Sequence, residues 1–314
     1  MSMPRKRSLL IAGTLAPAIV IGGIAPATGI AFAATSAAAV QAAPSASVSP
    51  TTAATEPAPD PTPTPTDPTP EPTPTRPPIQ TGPNGSLVIG KTRKGRKMVA
   101  VRQGNPNGSR VMLVIGEIHG NEKKGRDIVA QLRGRNLSTT GATQLWTITS
   151  MNPDGDAATR RYNSRGVDLN RNFPTNWSRR TAGAGRGPAS ERETKAVMRF
   201  LKRLRPDGAY VMHQDWNMVL GYCNWKTRPY AYRFAKLTGL GLERCNRAYT
   251  GTMGSWFNSK LPGWMLTVEL PNSRRFTRSK TTRYTNAVLT HLRELQNLDR
   301  RAPALQNIKR LPRR

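Results

Sequence analysis

The chain has 314 residues, 48 lysines and arginines against 18 aspartates and glutamates, and a formal charge of +30. Roughly the first eighty residues hold too few large apolar side chains to offset chain entropy, so a core is excluded there and any fold lies downstream. A field of this sign favours polyanions, such as nucleic acid, anionic lipid or acidic wall polymers, and charge alone does not choose among them.

Chain order begins with MSMPRKRS, a basic cluster, then the apolar run Leu9 to Ile24, then small residues up to Ala33. That layout predicts a secretory signal peptide over residues 1–33, removed after an AxA site; the alternative is an uncleaved anchor. Residues 34–83 are Ala/Ser-rich and then alternate Pro with Thr, which predicts a disordered, partly polyproline II linker. Fully extended at about 3.1 Å per residue, Pro44 to Thr81 would span on the order of 120 Å. Such a tether suits an exported protein held off a membrane or threaded through a wall. Export counts against nucleic acid as the partner, and no recognised nucleic-acid module surrounds the basic residues.

From Ser86 the pattern alternates. SLVIGKT, a turn at Arg93 to Arg96 and KMVAVRQ predict a hairpin. RVMLVIGEIHG is a strand ending in glycine, EKKGRDIVAQLRG a helix, and TQLWTITSMNPDG a strand with a turn. Ser190 and Glu193 form a capping-box pattern before the amphipathic run ERETKAVMRFLKRL. GAYVMH reads as a strand, YAYRFAKLTGL as a helix stopped by glycine, WMLTVEL as a strand, and RYTNAVLTHLRELQNL as a closing helix. Strands alternating with helices predict one α/β domain over residues 84–300 with a covered sheet, followed by a basic tail over 301–314. Cys223 and Cys245, the two cysteines, are expected to form a disulfide in an oxidising compartment, the alternative being two buried thiols.

The chain has three histidines. His119 follows an apolar strand, with Glu122 three positions on, a spacing that can aim an imidazole and a carboxylate at one point. H-x-x-E alone is weak, and it gains weight from His213, which ends the strand GAYVMH. Two His and one Glu leave zinc an open position, the arrangement of catalytic rather than structural sites. His291, beside Arg293 and Glu294 on the closing helix, reads as a core histidine without a function.

The segment from Ser86 to Leu298 resembles the zinc carboxypeptidases of the carboxypeptidase A type, and within them the compact bacterial branch of murein tripeptide amidases. The matching residues are HGNE (His119 to Glu122), NPDG (Asn152 to Gly155), RYN (Arg161 to Asn163), GVDLNRNFP (Gly166 to Pro174), the strand-end His213 and TVEL (Thr267 to Leu270). The resemblance implies a single-domain α/β/α sandwich with a mixed, mostly buried sheet. It implies one Zn2+ ion held by His119, Glu122 and His213, with Glu269 as general base. Arg161 would polarise the scissile carbonyl, Asn170 and Arg171 would grip a substrate carboxylate, and Tyr249 would close over it. Asp168 falls where the family supports its first zinc histidine.

Elementary chemistry agrees with these assignments. Zinc lowers the pKa of water to about 7, within reach of a carboxylate base. Arginine pairs with a carboxylate through two hydrogen bonds and stabilises a developing oxyanion. Asn121 replaces the arginine that animal digestive members carry in the first motif. Trp256 falls near the family's specificity pocket; no acid stands there, so selection of a C-terminal Lys or Arg is not indicated. The loop Asn176 to Ser190 carries Arg179, Arg180 and Arg186, either as a cleft wall that reads extra carboxylates or as a solvated loop.

Together these readings predict a secreted metallopeptidase, with the cell wall as its candidate address and without a stable membrane anchor after signal cleavage. Its expected substrate is a peptide with a free carboxylate, with peptidoglycan stem peptides the natural candidates and anionic wall polymers as further partners. The alternatives are a general secreted carboxypeptidase and a non-catalytic wall-binding module.

Overall fold

A computed structural model describes Arg76 and residues 78–137, 140–221, 223–244 and 249–306. The expected signal peptide, most of the linker, the residues of the basic tail beyond Gln306, and Cys245 with its disulfide lie outside the described residues. All described residues fall in one compact unit, Pro70–Arg314.

The hairpin forms where alternation predicts it, as β1 (Ser86–Lys91) and β2 (Lys97–Gly104), paired antiparallel. β3 (Arg110–Ile115), β4 (Thr143–Ile148), β5 (Gly208–Gln214) and β8 (Trp264–Leu270) also coincide with predicted strands. Two strands have no signal in the sequence: β6 (Met218–Leu220) and β7 (Gly241–Leu242) are too short to show a period. The order among the described residues is β1-β2-β4-β3-β5-β8-β6-β7. β3 pairs parallel with β4 and β5, and β5 with β8, while β2–β4 and β6–β8 are antiparallel, so the sheet is mixed.

Side chains of successive strand residues point to opposite faces, and both faces are covered. Met112, Val114, Tyr210, Met212, Leu266 and Val268 pack against α1 (Lys124–Arg133), α4 (Arg228–Thr238) and α6 (Arg278–Gln306) through Ile128, Phe234 and Leu292. Leu113, Ile115, Ala209, Val211 and Met265 point the other way, toward Val197, Leu201 and Phe257 of α3 (Arg192–Leu204) and α5 (Met253–Lys260). This is the expected three-layer α/β/α arrangement. Fully burying such a side chain contributes about 1.5–3 kcal/mol, so the two apolar layers dominate the stabilisation.

Of the local signals, one helix stop forms and one helix cap does not. Gly239, at φ 68°, stops α4 as predicted. The capping box does not form: α3 starts at Arg192 after Glu191, and Ser190 Oγ donates to Glu191 Oε1 at 2.8 Å. Glu191 and Glu193 are buried, accepting from Asn163 Nδ2 at 2.9 and 3.5 Å, which ties the RYN motif to the helix start. Packing also starts upstream of the expected boundary at residue 84. Ile79 is buried, and Arg76 donates to the carbonyls of Arg205 and Ser109 at 3.0 and 2.9 Å and pairs with Asp207. No helix among the described residues is long and apolar enough to cross a membrane.

Candidate metal centre and cleft

Three parallel strands, β3, β5 and β8, deliver their C-terminal ends to one place, as open α/β sheets do. β3 leads into the turn that carries His119 and Glu122. His213 lies in β5 and is the register partner of Glu269 in β8. The turn is held down by backbone contact: a Cβ added to Gly120 would stand 2.0 Å from the Gly155 carbonyl carbon, so only glycine allows HGNE to sit on NPDG. α2 (Pro153–Ala157) is capped by Asn152, whose side chain accepts from Gly155 N at 3.0 Å.

The ligand atoms of His119, Glu122 and His213 lie within 4.8 Å of one another, and all three residues are buried. Their Nδ1 atoms are 3.3 Å apart, and Glu122 offers one oxygen to each histidine at 2.8 and 3.0 Å. Ligands at about 2.0 Å from zinc in a tetrahedron would be separated by about 3.3 Å, which matches the nitrogen pair. His119 Nε2 is 2.9 Å from Asp168 Oδ1, which fixes the ring and leaves Nδ1 facing its partners. Two convergent imidazole nitrogens and a carboxylate form a donor set that fits zinc.

The electrostatics follow from enclosure. Burial pushes the Glu122 carboxyl up, but hydrogen bonds with His119 and His213 outweigh it and hold it far below the usual range. Asp168 is held down in the same way, by His119 first and then by the Arg161 and Arg171 charges. His119 is lowered by burial yet raised on balance by Asp168 and Glu122. Glu269 goes the opposite way, its pKa raised chiefly by burial, and its Oε2 is buried without a hydrogen-bond partner. A buried, unsatisfied carboxylate oxygen beside the donor set is itself a sign of a missing polar partner.

All the expected substrate-side residues line one cleft of about 440 Å3 together with the ligands and Glu269: Arg161, Asn170, Arg171 and Tyr249. Arg161 donates to Glu122 Oε1 at 2.9 Å and from Nε to Asp168 Oδ2 at 3.1 Å, so it braces two carboxylates as well as facing the cleft. Asn170 is spent partly on structure, since its Oδ1 accepts from Met253 N at 2.9 Å and its own N–H reaches Asp168 Oδ1 at 2.8 Å. Behind Arg171, Gly251 at φ 61° lets the chain pass within 2.3 Å of the Arg171 carbonyl oxygen, measured from a hypothetical Cβ. The Tyr249 ring lies 6.3 Å from that of Trp216 at the rim.

One expectation is corrected, and of the two alternatives for the arginine-bearing loop one is favoured. Trp256 does not line the cleft; it is 2% exposed and packs on Phe173 at 5.6 Å, because α5, unmarked in the sequence, turns it into the core. Arg179, Arg180 and Arg186 are exposed and outside the cleft lining, although Thr175 and Asn176 reach it, so the loop is solvated at its arginines. Sequence reasoning also missed Glu243, Ser255 and Asn258 on the cleft wall. They belong to no motif, and only the pairing of the short strands brings Glu243 there. Cys223, which is not a free thiol, lines the cleft too. His291 is a core residue as expected: it is fully buried, with Nδ1 2.6 Å from Tyr210 Oη, and burial pushes its pKa down to about 3.

A sequence model of the zinc carboxypeptidase family matches residues 85–238, which include His119, Glu122, Arg161, Asn170, Arg171 and His213. Murein peptide amidase A of Escherichia coli K12 is 28% identical over 167 residues, covering 46% of this chain and 64% of that protein. The catalytic chain of rat carboxypeptidase N is 35% identical over 114 residues, 27% of this chain and 25% of that one. The chain thus spans between a quarter and two thirds of the length of these relatives. The crystal structure of the murein-tripeptide amidase of Escherichia coli O157 superposes with a TM-score of 0.54 at 22% identity, covering 68% of this chain and 93% of the other, a likeness of fold.

Proposed function

Because residues 85–238 of this chain match the zinc carboxypeptidase family, we propose that it hydrolyses an amide bond next to a free carboxylate, using one zinc ion held by His119, Glu122 and His213. The observation that carries the reading is the convergence of that donor set, the unsatisfied Glu269 carboxylate and Arg171 in a single cleft. Zinc, when bound, supplies a Lewis acid that polarises a carbonyl and acidifies water. Glu269, with a pKa raised by burial, takes the proton of the attacking water and passes it to the leaving nitrogen. Arg171 and the Asn170 amide N–H2 orient the substrate carboxylate. Arg161 places positive charge where the oxyanion develops, and Tyr249 closes the rim.

Bacterial wall peptides are the proposed natural substrates. The signal-like start, the Pro/Thr linker and the +30 charge support an exported enzyme working among acidic wall polymers, in an oxidising compartment where Cys223 pairs with Cys245. Likeness to a murein peptide amidase supports the same choice. The test is to incubate zinc-loaded protein with defined wall stem peptides and with ordinary peptides, and to identify products by mass spectrometry. Cleavage of stem peptides is expected. If only ordinary peptides lose their last residue, the general carboxypeptidase reading replaces the wall reading; if nothing is cleaved and zinc does not bind, a non-catalytic module does.

A further inference from the structure

α3 carries five exposed cations, Arg192, Lys195, Arg199, Lys202 and Arg203, and no exposed acid. At about 100° per residue they fall within about 100° of its circumference, one line of charge about 16 Å long. Its acid, Glu193, is turned inward with the neighbouring Glu191, both buried against Asn163. A Cβ on Gly90, near the end of β1, would stand 2.5 Å from Ala196 Cβ, so the hairpin abuts the first half of α3. The hairpin turn adds Arg93 and Lys94, both exposed, beside Arg96, which Asp154 neutralises at 2.9 Å.

This sorting of charge brings the helix no structural return. The pairs Arg192–Lys195, Lys195–Arg199, Arg199–Lys202 and Arg199–Arg203 are like charges three or four positions apart, and each destabilises the helix. Lys202 and Arg203 are favoured by the dipole at the C-terminal end, but Arg192 and Lys195 stand at the end where it opposes cations. Among the described residues none of these side chains, nor Arg93 or Lys94, pairs with an acid. None of them lines the cleft, so a partner held here leaves the cleft open to substrate. The exposed aromatics, Tyr162, Trp216, Trp225 and Tyr232, all lie outside α3 and the turn. The line therefore lacks platforms for stacking bases and exposed large apolar side chains for entering a bilayer. What remains is a row of cations at about one per turn, about 5.4 Å, which suits a flexible chain of phosphodiesters.

We propose that the outer face of α3, continued by the hairpin turn at Arg93 and Lys94, is a docking surface for a linear phosphodiester polymer of the cell wall, one whose phosphates are joined through a short polyol. Docking holds the protein on the wall through exposed charge, apart from the cleft, and keeps it at high local concentration beside peptides on the same matrix. The choice of partner rests on the exported, wall-directed reading of the chain; the surface itself does not.

Binding of the full-length protein to synthetic poly(glycerol phosphate), measured by calorimetry across a salt series, tests this with two variants of equal charge. K195Q/R199Q/K202Q removes the centre of the line, and R179Q/R180Q/R186Q removes exposed cations of the solvated loop. The α3 variant is expected to lose about tenfold or more in affinity at low salt, and to flatten the dependence of log Kd on log salt by about one per cation removed. The loop variant should lose much less. In the α3 variant Tm should hold or rise, because all the repulsive pairs along the helix are relieved, and hydrolysis of a short peptide should be unchanged. Equal losses in the two variants would reduce the effect to net charge and overturn the proposal, as would no binding by the wild type, or a lowered Tm or slowed hydrolysis in the α3 variant. Tighter binding to duplex DNA or to phosphatidylglycerol vesicles than to the polymer overturns the choice of partner. Binding is read without hydrolysis, so a protein that docks in this way and cleaves no peptide fails the hydrolase reading and keeps the docking surface.

Discussion

His213 and Glu269 are register partners on adjacent parallel strands, so one rigid ladder sets both a metal donor and the carboxylate beside it. Glu269 is 7% exposed and its Oε2 lacks a partner. Glu269→Gln preserves shape and removes proton acceptance. It should keep stoichiometric zinc and lose about 10²–10⁴-fold in kcat with KM nearly unchanged. Metal analysis alongside kinetics checks this, and retained turnover would reassign the base.

Asp168 holds His119 through Nε2 at 2.9 Å, with Arg161 on its other oxygen. Asp168→Asn should weaken zinc binding by about 10–100-fold, measured by competition with a chelator. Unchanged affinity would mean that the ring is oriented by packing alone.

Asp154 anchors the hairpin turn, accepting from Thr92 Oγ1 at 2.8 Å, Arg96 Nη1 at 2.9 Å and Lys94 N at 3.1 Å. Burial pushes its pKa up, but these hydrogen bonds outweigh it and leave it below the ordinary value of 3.8. The resulting stabilisation is present in full above that ordinary value and is lost as pH falls through the lower folded value. Asp154→Asn should cost about 1–3 kcal/mol at pH 7, and its Tm deficit should narrow below about pH 4. A deficit that persists into acid would contradict the charge-based account.

His291 gives the opposite sign. With its pKa lowered to about 3 by burial, it stays neutral while an unfolded chain, with an ordinary value of about 6.5, takes up a proton. Stability therefore falls as pH drops below about 6.5 toward 3. Its ring resonances should show no titration between about pH 5 and 8 by NMR, where an unperturbed histidine titrates.

What was legible in the sequence was locally coded. β1 and β2 show alternation and a turn, α4 ends in Gly239, and HGNE and GVDLNRNFP keep their chemistry within a few positions. Long-range placement was not legible. Glu243 reaches the cleft through a two-residue strand, Trp256 is turned inward by a helix with weak amphipathicity, and Glu193 is diverted from capping α3 to holding Asn163. Each depends on contacts between segments far apart in the chain, which periodicity cannot report.

Zinc titration of chelator-stripped protein, read by metal analysis and by mass spectrometry of the peptide products, decides whether metal binding and hydrolysis belong to one site. One zinc per chain is expected to restore amide hydrolysis, and His119→Ala or His213→Ala to abolish both binding and turnover. Hydrolysis that survives complete zinc removal, or stoichiometric zinc binding that persists without either histidine, would contradict it.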